Sequence, residues 1–229
     1  MKDSKIYKIG SMFCNEKKTI TLRYLTGLML DISTIQASRV EKNLGAMDKK
    51  VWLLYAWDIE FIKPIKECDE VEITTIPTHM QRFYAYRNFF VKKDGEILAK
   101  AKASFILFDW EKMRAAIIDK SLAEAYGVST EDYKGRPYKK KDNFADKKQV
   151  YIRRADFDQN LHVNNGVYFD YIKEIPSFDE GKLSYIKMIY KNQIKEQEKV
   201  ELFYKESDKQ VDFELRSEIS HAYGVVEYV

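Results

Sequence analysis

The chain has 229 residues, of which 45% are hydrophobic and 33% are charged, and its formal net charge is +3. These values supply enough apolar side chains for a core and exclude an intrinsically disordered chain, while the length fits one large domain or two small ones. The N-terminal residues contain no apolar signal region, and no run of about 18 apolar residues occurs, so we expect a cytoplasmic protein without a membrane segment. Cys14 and Cys68 lie far apart without metal-ligand spacing, and we interpret them as small buried apolar residues.

Basic residues concentrate in one part of the chain. Nine of them lie from Lys134 to Arg154, against only Asp142 and Asp146. A local positive field of this kind would raise the encounter rate with an acidic partner, whereas a solvated linker rich in lysine explains the same residues without a function. The charge pattern alone leaves both interpretations open.

Hydrophobic spacing predicts strands, one long helix and further strands in the first half. Apolar residues at three- to four-residue spacing predict an amphipathic helix from Leu25 to a C-terminal cap at Gly45. The dipeptide Asp94-Gly95 is typical of a tight hairpin, because both positions accept a positive φ. The strand-like runs are residues 6–13, 19–22, 51–62, 70–76, 83–92 and 96–110.

The same order of elements returns in shorter form in the second half. We interpret residues 121–146 as a basic linker, because periodicity is lost there and Gly127, Gly135 and Pro137 interrupt the chain. A helix of about ten residues is predicted to start near Asn164 and to end before Pro176. The predicted strands are 149–154, 183–193, 200–205, 211–219 and 222–229. The repeated order suggests an α+β protein made of two similar units, each with a helix packed on a curved antiparallel sheet.

Polar residues alternate just before the second predicted helix. Asp158, Asn160 and His162 are spaced by two residues, so an extended segment would direct all three toward one site at the helix N-terminus. Unpaired N–H groups at such a terminus stabilise an oxyanion, and a carboxylate or an imidazole is suited to activate water. Asp and Asn before a helix are also ordinary capping residues, so the spacing alone leaves capping and catalysis open.

The segment from Asp158 to Asn165, followed by Tyr168, resembles the signature of acyl-acyl carrier protein (acyl-ACP) thioesterases. Landmarks in the first half are similar to those of the same family: Ala37-Ser38-Arg39, Trp52, Trp57, Pro64, Asp69-Glu70-Val71, Ile76-Pro77, Arg87-Asn88-Phe89, Gly95-Glu96, residues 101–104 and Asp109. The resemblance implies two tandem hot-dog domains, at residues 1–120 and 147–229. It also implies hydrolysis of the thioester of fatty acyl-ACP, which releases free fatty acid and ends chain elongation, with no cofactor and no metal.

The resemblance implies roles for residues near the signature. Asp158, Asn160 and His162 would be catalytic. The family has a glutamate at the position of Gln193, followed in plant members by a cysteine, where this chain has Ile194. Gln193 therefore either positions a water or is a buried strand amide, and proton transfer falls to Asp158 and His162. The backbone N–H groups of Gly166 and Val167 would hold the oxyanion.

The resemblance also implies an acyl tunnel in the N-terminal unit and a docking surface for ACP, an acidic protein. The candidate tunnel residues are Leu28, Met29, Ile32, Trp52, Leu54 and Trp57. The candidate docking residues are Arg136, Lys139, Lys140, Lys141, Arg153 and Arg154. We expect no nucleic-acid or membrane partner, and a homodimer stays open. His79 and His221 are interpreted as surface or half-buried histidines.

Two alternatives remain at this point. In one, the fold and chemistry are the same but coenzyme A is the natural carrier of the acyl group. In the other, the chain is a non-catalytic hot-dog module that binds acyl thioesters as a sensor, and the missing glutamate at Gln193 favours it. The complete set of Asp158, Asn160 and His162 counts against the sensor.

Overall fold

The computed structural model describes residues 1–42, 44–128, 135–195 and 199–229, except for the side chain of Ala46. Within these ranges one antiparallel sheet of eleven strands carries three α-helices. The elements are β1 Asp3–Lys8, α1 Leu22–Glu41, β2 Lys50–Phe61, β3 Glu70–Gln81, β4 Tyr84–Lys93, β5 Glu96–Asp109, β6 Arg114–Ala115, α2 Lys120–Tyr126, β7 Asp146–Val150, α3 Val167–Ile172, β8 Leu183–Tyr190, β9 Val200–Ser207, β10 Gln210–Arg216 and β11 Ser220–Tyr228. None of the helices found there has the length and apolar character needed to cross a membrane.

The strand order shows the predicted repeat. The sheet runs β1-β3-β4-β5-β2-β8-β11-β10-β9-β7, with β6 beside β5. Counted outward from its centre, β2, β5, β4, β3 and β1 correspond to β8, β11, β10, β9 and β7. Each half is therefore a strand, a helix and four strands, and the two halves meet through the first strand after each helix.

The junction between the halves is the antiparallel pair of β2 and β8, with Trp57 opposite Met188 and Asp58 opposite Lys187. Trp57 and Met188 are almost fully buried on the helix side of the sheet. On the other side the Asp58 carboxylate lies 2.7 Å from Nζ of Lys187. Gly135 covers this ion pair so closely that a Cβ on it would lie 2.3 Å from Oδ2 of Asp58. The segment that enters the second half is thus pressed against the outer face of the junction.

Helix α1 begins three residues before the predicted start, because the side chain of Thr21 accepts a hydrogen bond from the Tyr24 N–H. Leu25, Met29 and Ile32 lie on one face of it and are at most 2% exposed. The predicted hairpin between β4 and β5 is confirmed, since Asp94 and Gly95 have φ of +50° and +82°.

The predicted linker contains a helix that its sequence pattern did not reveal. Asp119 caps α2, and Gly127, at φ +51°, ends it. Leu122 and Tyr126 are buried in a small cluster with Leu107 of β5, so the packing of the first half extends to residue 126. Residues 129–134 of that linker, with the basic residue Lys134, lie outside the described residues. Helix α3 has six residues rather than about ten.

Glu180, from the second half, holds the N-terminus of the first half's helix. Its Oε1 accepts a hydrogen bond of 2.9 Å from the N–H of Leu22, the first residue of α1, and its Oε2 accepts one from Asn15. The side chain is 5% exposed and also lies 3.2 Å from Nζ of Lys173. A carboxylate in this position satisfies an unpaired N–H and is attracted by the positive end of the helix dipole.

Replacing Glu180 by Ala should therefore lower the free energy of unfolding by about 1–2 kcal/mol, the usual scale for a lost helix cap. Urea denaturation at neutral pH measures this. Glu124→Ala is the matched control, because Glu124 is exposed and makes only a 3.6 Å ion pair with Lys120. Equal stability of the two variants would show that Glu180 does not hold the halves together.

Candidate active site

The segment that carries Asp158, Asn160 and His162 is a tight hairpin loop, not the extended segment that the spacing predicts. The N–H of Asp158 donates to the carbonyl of His162 over 2.9 Å, and the N–H of Leu161 donates to the carbonyl of Asp158 over 3.1 Å. Leu161 sits at the turn with φ +61°, a conformation that non-glycine residues rarely adopt. The chain therefore reverses at this point, and the three polar residues surround one turn.

Solvent reaches all three of these side chains. Asp158 and His162 are half-buried, and Asn160 is exposed. Oδ1 of Asp158 accepts a hydrogen bond of 2.8 Å from the N–H of Asn160, which stabilises the turn. The imidazole of His162 forms no hydrogen bond with any described residue, so both ring nitrogens are available to a ligand or a water.

Asp156 anchors this loop, and it was absent from the predicted site. Its carboxylate is 1% exposed and accepts hydrogen bonds from the backbone and side chain of Arg153 and from the hydroxyl of Tyr171 in α3. Its carbonyl accepts the N–H of Asn164, 2.9 Å away, so both ends of the loop are tied to this residue. Burial alone would raise the pKa of Asp156, but the hydrogen bonds from Arg153 and Tyr171 outweigh it and lower the pKa below its ordinary value.

Gln193 lies beside the loop. Ile194 accepts a hydrogen bond of 3.1 Å from the N–H of Val163 and donates one of 3.2 Å to the hydroxyl of Tyr168. This backbone pairing places Gln193, the residue before Ile194, close to the loop. Gln193 is exposed and follows the end of β8, so the interpretation as a buried strand amide is wrong. Its amide is free to contact a water at the loop.

The N–H groups of Gly166 and Val167 already have partners. The Gly166 N–H donates to Oδ1 of Asn164 over 2.9 Å, and the Val167 N–H donates to the carbonyl of the same residue, also over 2.9 Å. Asn164 thus acts as an ordinary capping residue at the start of α3. The expectation of two unpaired donors at this helix N-terminus is corrected, because the turn before the helix uses both.

A cavity of about 360 Å³ begins beside the loop and runs along α1. Asn165 lines it from the second half, and one stripe of α1 lines it from the first half: Leu30, Ser33, Thr34, Ala37, Ser38 and Glu41. Trp52 and Leu54 of β2 also lie in its wall. The small side chains of the stripe leave this space between the helix and the sheet.

Four of the six candidate tunnel residues do not line this cavity. Met29, Ile32 and Trp57 are at most 2% exposed and belong to the main core, and Leu28 packs against the same core. Large apolar side chains on that face of α1 fill the space between helix and sheet completely. The cavity opens where α1 presents small residues, about a third of a turn away.

The family models that match the chain are the acyl-ACP thioesterase N-terminal domain, over residues 2–126, and the acyl-ACP thioesterase C-terminal domain, over residues 138–227. The chain therefore belongs to the acyl-ACP thioesterase family. Membership in this family makes the chain a thioester hydrolase that acts on acyl-ACP, and the predicted resemblance is confirmed. A comparison with curated proteins gave no match.

Solved structures of acyl-ACP thioesterases share the fold. An acyl-ACP thioesterase from Bacteroides thetaiotaomicron is 16% identical, with a TM-score of 0.86 over 100% of this chain and 98% of the other. A 12:0-ACP thioesterase from Umbellularia californica is 15% identical, with a TM-score of 0.83 over 100% of this chain and 97% of the other. These likenesses confirm the tandem hot-dog architecture.

In this thioesterase three of the six candidate docking residues form ion pairs within the chain. Arg136 pairs with Glu227 at 2.6 Å, Arg153 pairs with Asp156 at 2.8 Å, and Lys140 lies 2.6 Å from the fully buried carboxylate of Glu214. The other three, Lys139, Lys141 and Arg154, are exposed and form no ion pair with any described residue. Of the six candidates, these three present a charge that has no ion-pair partner among the described residues.

The sequence pattern does mark Asp156. Asp156 continues the alternation of Asp158, Asn160 and His162 by one step toward the N-terminus. No comparable signal exists for Glu214, which the sequence pattern places on a strand like any other acidic residue. Its 0% exposure and its pairing with Lys140 arise from contacts between distant parts of the chain. His221, expected at or near the surface, is also fully buried and bonded to Ser217.

The buried carboxylate of Asp156 should stabilise the fold in a pH-dependent manner. Asp156→Asn should lower the free energy of unfolding by about 1–3 kcal/mol at pH 7, because buried hydrogen bonds to a charged group are lost. A carboxylate with a lowered pKa stabilises the fold above its unfolded pKa of about 3.9 and loses that contribution as the pH falls through its folded pKa.

The difference in the free energy of unfolding between wild type and Asp156→Asn should accordingly become smaller below about pH 4. Urea denaturation at neutral and acid pH measures it, with Asp142→Asn as the control, because Asp142 is exposed and unpaired among the described residues. A constant difference at both pH values would contradict the assignment of Asp156 as the charged anchor.

Proposed function

We propose that the loop from Asp158 to Asn164 hydrolyses the thioester of fatty acyl-ACP while the acyl chain lies in the cavity along α1. Water attacks the thioester carbonyl carbon, the carbon–sulfur bond breaks, and the phosphopantetheine sulfur leaves as the protonated thiol. The products are free fatty acid and ACP, which ends elongation in fatty acid biosynthesis. The observation that carries this proposal is the position of Asn165, which belongs to the loop region and lines the cavity.

The roles of the three loop residues follow from their contacts. His162 is the general base in this proposal, because its imidazole is half-buried and forms no hydrogen bond with any described residue. Asp158 holds the turn by accepting the N–H of Asn160, and we assign it to orient the reacting groups with His162. Gln193, whose neighbour Ile194 pairs with Val163 of the loop, positions the water with its amide.

The oxyanion needs a hydrogen-bond donor close to the scissile carbonyl. The N–H groups of Gly166 and Val167 serve this purpose only by exchanging their bonds to Asn164 for bonds to the substrate. The side-chain amide of Asn160 is exposed and has no such competition. We therefore assign the first oxyanion contact to Asn160, with Gly166 and Val167 as donors that the substrate would recruit.

Replacing either Asp158 or His162 by Ala should lower kcat by at least about a hundredfold on acyl-ACP, the usual scale for groups that transfer or position a proton. Thiol release from acyl-ACP measures this. Gln159→Ala is the matched control, because Gln159 is an exposed residue of the same turn without an assigned role. Near-wild-type turnover in both Asp158→Ala and His162→Ala would leave the loop with a structural role only.

The carrier protein is proposed to dock on the unpaired cations. Replacing Lys139 and Lys141 together by Ala should lower kcat/KM for acyl-ACP several-fold at low salt, by slowing association, and should affect the matched acyl-CoA much less. Lys140 is left intact, because its removal would strand the buried carboxylate of Glu214.

The control for docking is the double variant Lys2→Ala and Lys8→Ala, which removes the same charge at the far edge of the sheet. Losses of equal size on acyl-ACP and acyl-CoA would exclude docking at Lys139 and Lys141. A preference of the wild-type enzyme for acyl-CoA would identify coenzyme A as the carrier.

A further inference from the structure

The cavity along α1 has a defined direction. Gly166, next to Asn165, lies against Arg23 in the first turns of α1, where a Cβ would meet Cγ of Arg23 at 3.3 Å. The lining stripe then continues from Leu30 to Glu41, which spans about 16 Å at the usual rise of an α-helix. An acyl chain that enters beside the loop therefore points toward the C-terminal end of α1.

At that end three elements are joined by hydrogen bonds to one carboxylate. Oε1 of Glu41 accepts a hydrogen bond of 2.7 Å from the indole N–H of Trp52 and one of 2.5 Å from the hydroxyl of Tyr126. Glu41 comes from α1, Trp52 from β2 and Tyr126 from α2, and all three line the cavity. Burial and the hydrogen bond to Glu41 raise the pKa of Tyr126, so the phenol keeps its proton and remains a donor.

We call this cluster of Glu41, Trp52 and Tyr126 the Glu41 clamp. A further polar residue, Arg87, lies beside it. Arg87 is 6% exposed, lines the cavity, donates to Gln36 and Thr75, and lies over the ring of Tyr126. Tyr126 itself is 2% exposed and is fixed by packing against Leu107 and Leu122. These contacts hold the clamp in place from both sides.

The methyl end of a fatty acyl chain forms no favourable interaction with the polar groups of the clamp. Moving past it would break a hydrogen bond at a partly buried site, and a donor or acceptor left there without a partner is unfavourable. An apolar chain is therefore favoured along the stripe of small residues and disfavoured at the clamp.

We propose that the Glu41 clamp is the stop that sets the longest acyl chain the enzyme hydrolyses well. This inference deepens the proposed function and rests on it, since it names the class of acyl chain that the same site accepts. The length is limited by a hydrogen-bonded polar wall rather than by the apolar core residues Met29, Ile32 and Trp57. The residue that matters most is Trp52, whose indole lines the cavity and is held by Glu41.

The test compares kcat/KM on saturated acyl-ACP thioesters of graded length. The measured ratio is kcat/KM for the first longer chain that the wild type hydrolyses poorly, divided by kcat/KM for the chain that it hydrolyses best. In Trp52→Ala this ratio should rise at least about tenfold, because each added methylene that gains a place in an apolar pocket contributes about that factor. If Trp52→Ala does not fold, Trp52→Phe and Tyr126→Phe take its place, with a smaller rise in the same direction.

Trp57→Phe is the matched control for Trp52→Phe, because Trp57 lies on the same strand but is buried in the core. It should lower stability and leave the ratio as in wild type. An unchanged ratio in the folded Trp52 variants, or an equal rise in Trp57→Phe, would overturn the clamp as the stop.

If the proposed function is wrong, the wild-type enzyme will hydrolyse none of the thioesters. This result differs from an unchanged ratio, which would exclude only the stop. Calorimetric binding of free saturated fatty acids of the same lengths tests the stop without catalysis. Stronger binding of longer acids by Trp52→Ala than by wild type supports the stop, and an unchanged length dependence overturns it.

Discussion

The antiparallel pairing of β2 with β8 holds the two halves of the chain together. It joins two half-sheets into one and covers the strand edge that each half would expose alone. Because β2 and β8 each follow the helix of their own half, this pairing also brings α1 and α3 together, and Arg23 of α1 lies 2.7 Å from Asp170 of α3. The loop before α3 consequently meets the helix whose small residues form the cavity. Neither half contains both parts of the site.

The two halves share one order of elements but use it differently. In the first half a helix of 20 residues carries a stripe of small side chains, and the cavity lies beneath it. In the second half the helix has six residues, and the hairpin loop before it carries the proposed catalytic residues. The second half also contains three nearly buried carboxylates, those of Asp156, Glu180 and Glu214. Each of them has a cationic partner. Part of the basic cluster therefore stabilises the fold, and the positive field left for a partner is smaller than the sequence indicates.

Local patterns predicted the elements of this fold, and contacts between distant residues account for the rest. The helix α1, the hairpin at Asp94 and the repeat of element order follow from spacing and turn chemistry. The periodicity of α1 identified its most apolar face, which packs in the core. The cavity lies on a different face of the helix, which the apolar spacing does not mark. Lys140 and Glu214 are far apart in sequence, and only the folded chain shows that Lys140 neutralises a buried carboxylate. The loop at Asp158 was expected to be extended because a positive φ at a leucine is rare and has no signature in the sequence.

If the proposed function is correct, the loop in the second half cleaves an acyl chain held in the first half. The most direct measurement incubates the wild-type protein with acyl-ACP and quantifies released thiol and free fatty acid in the same sample. We expect both to appear in equal amounts over many turnovers, with no acyl group left on the protein. Binding of acyl-ACP without release of either product would contradict it and would make the chain an acyl-thioester sensor.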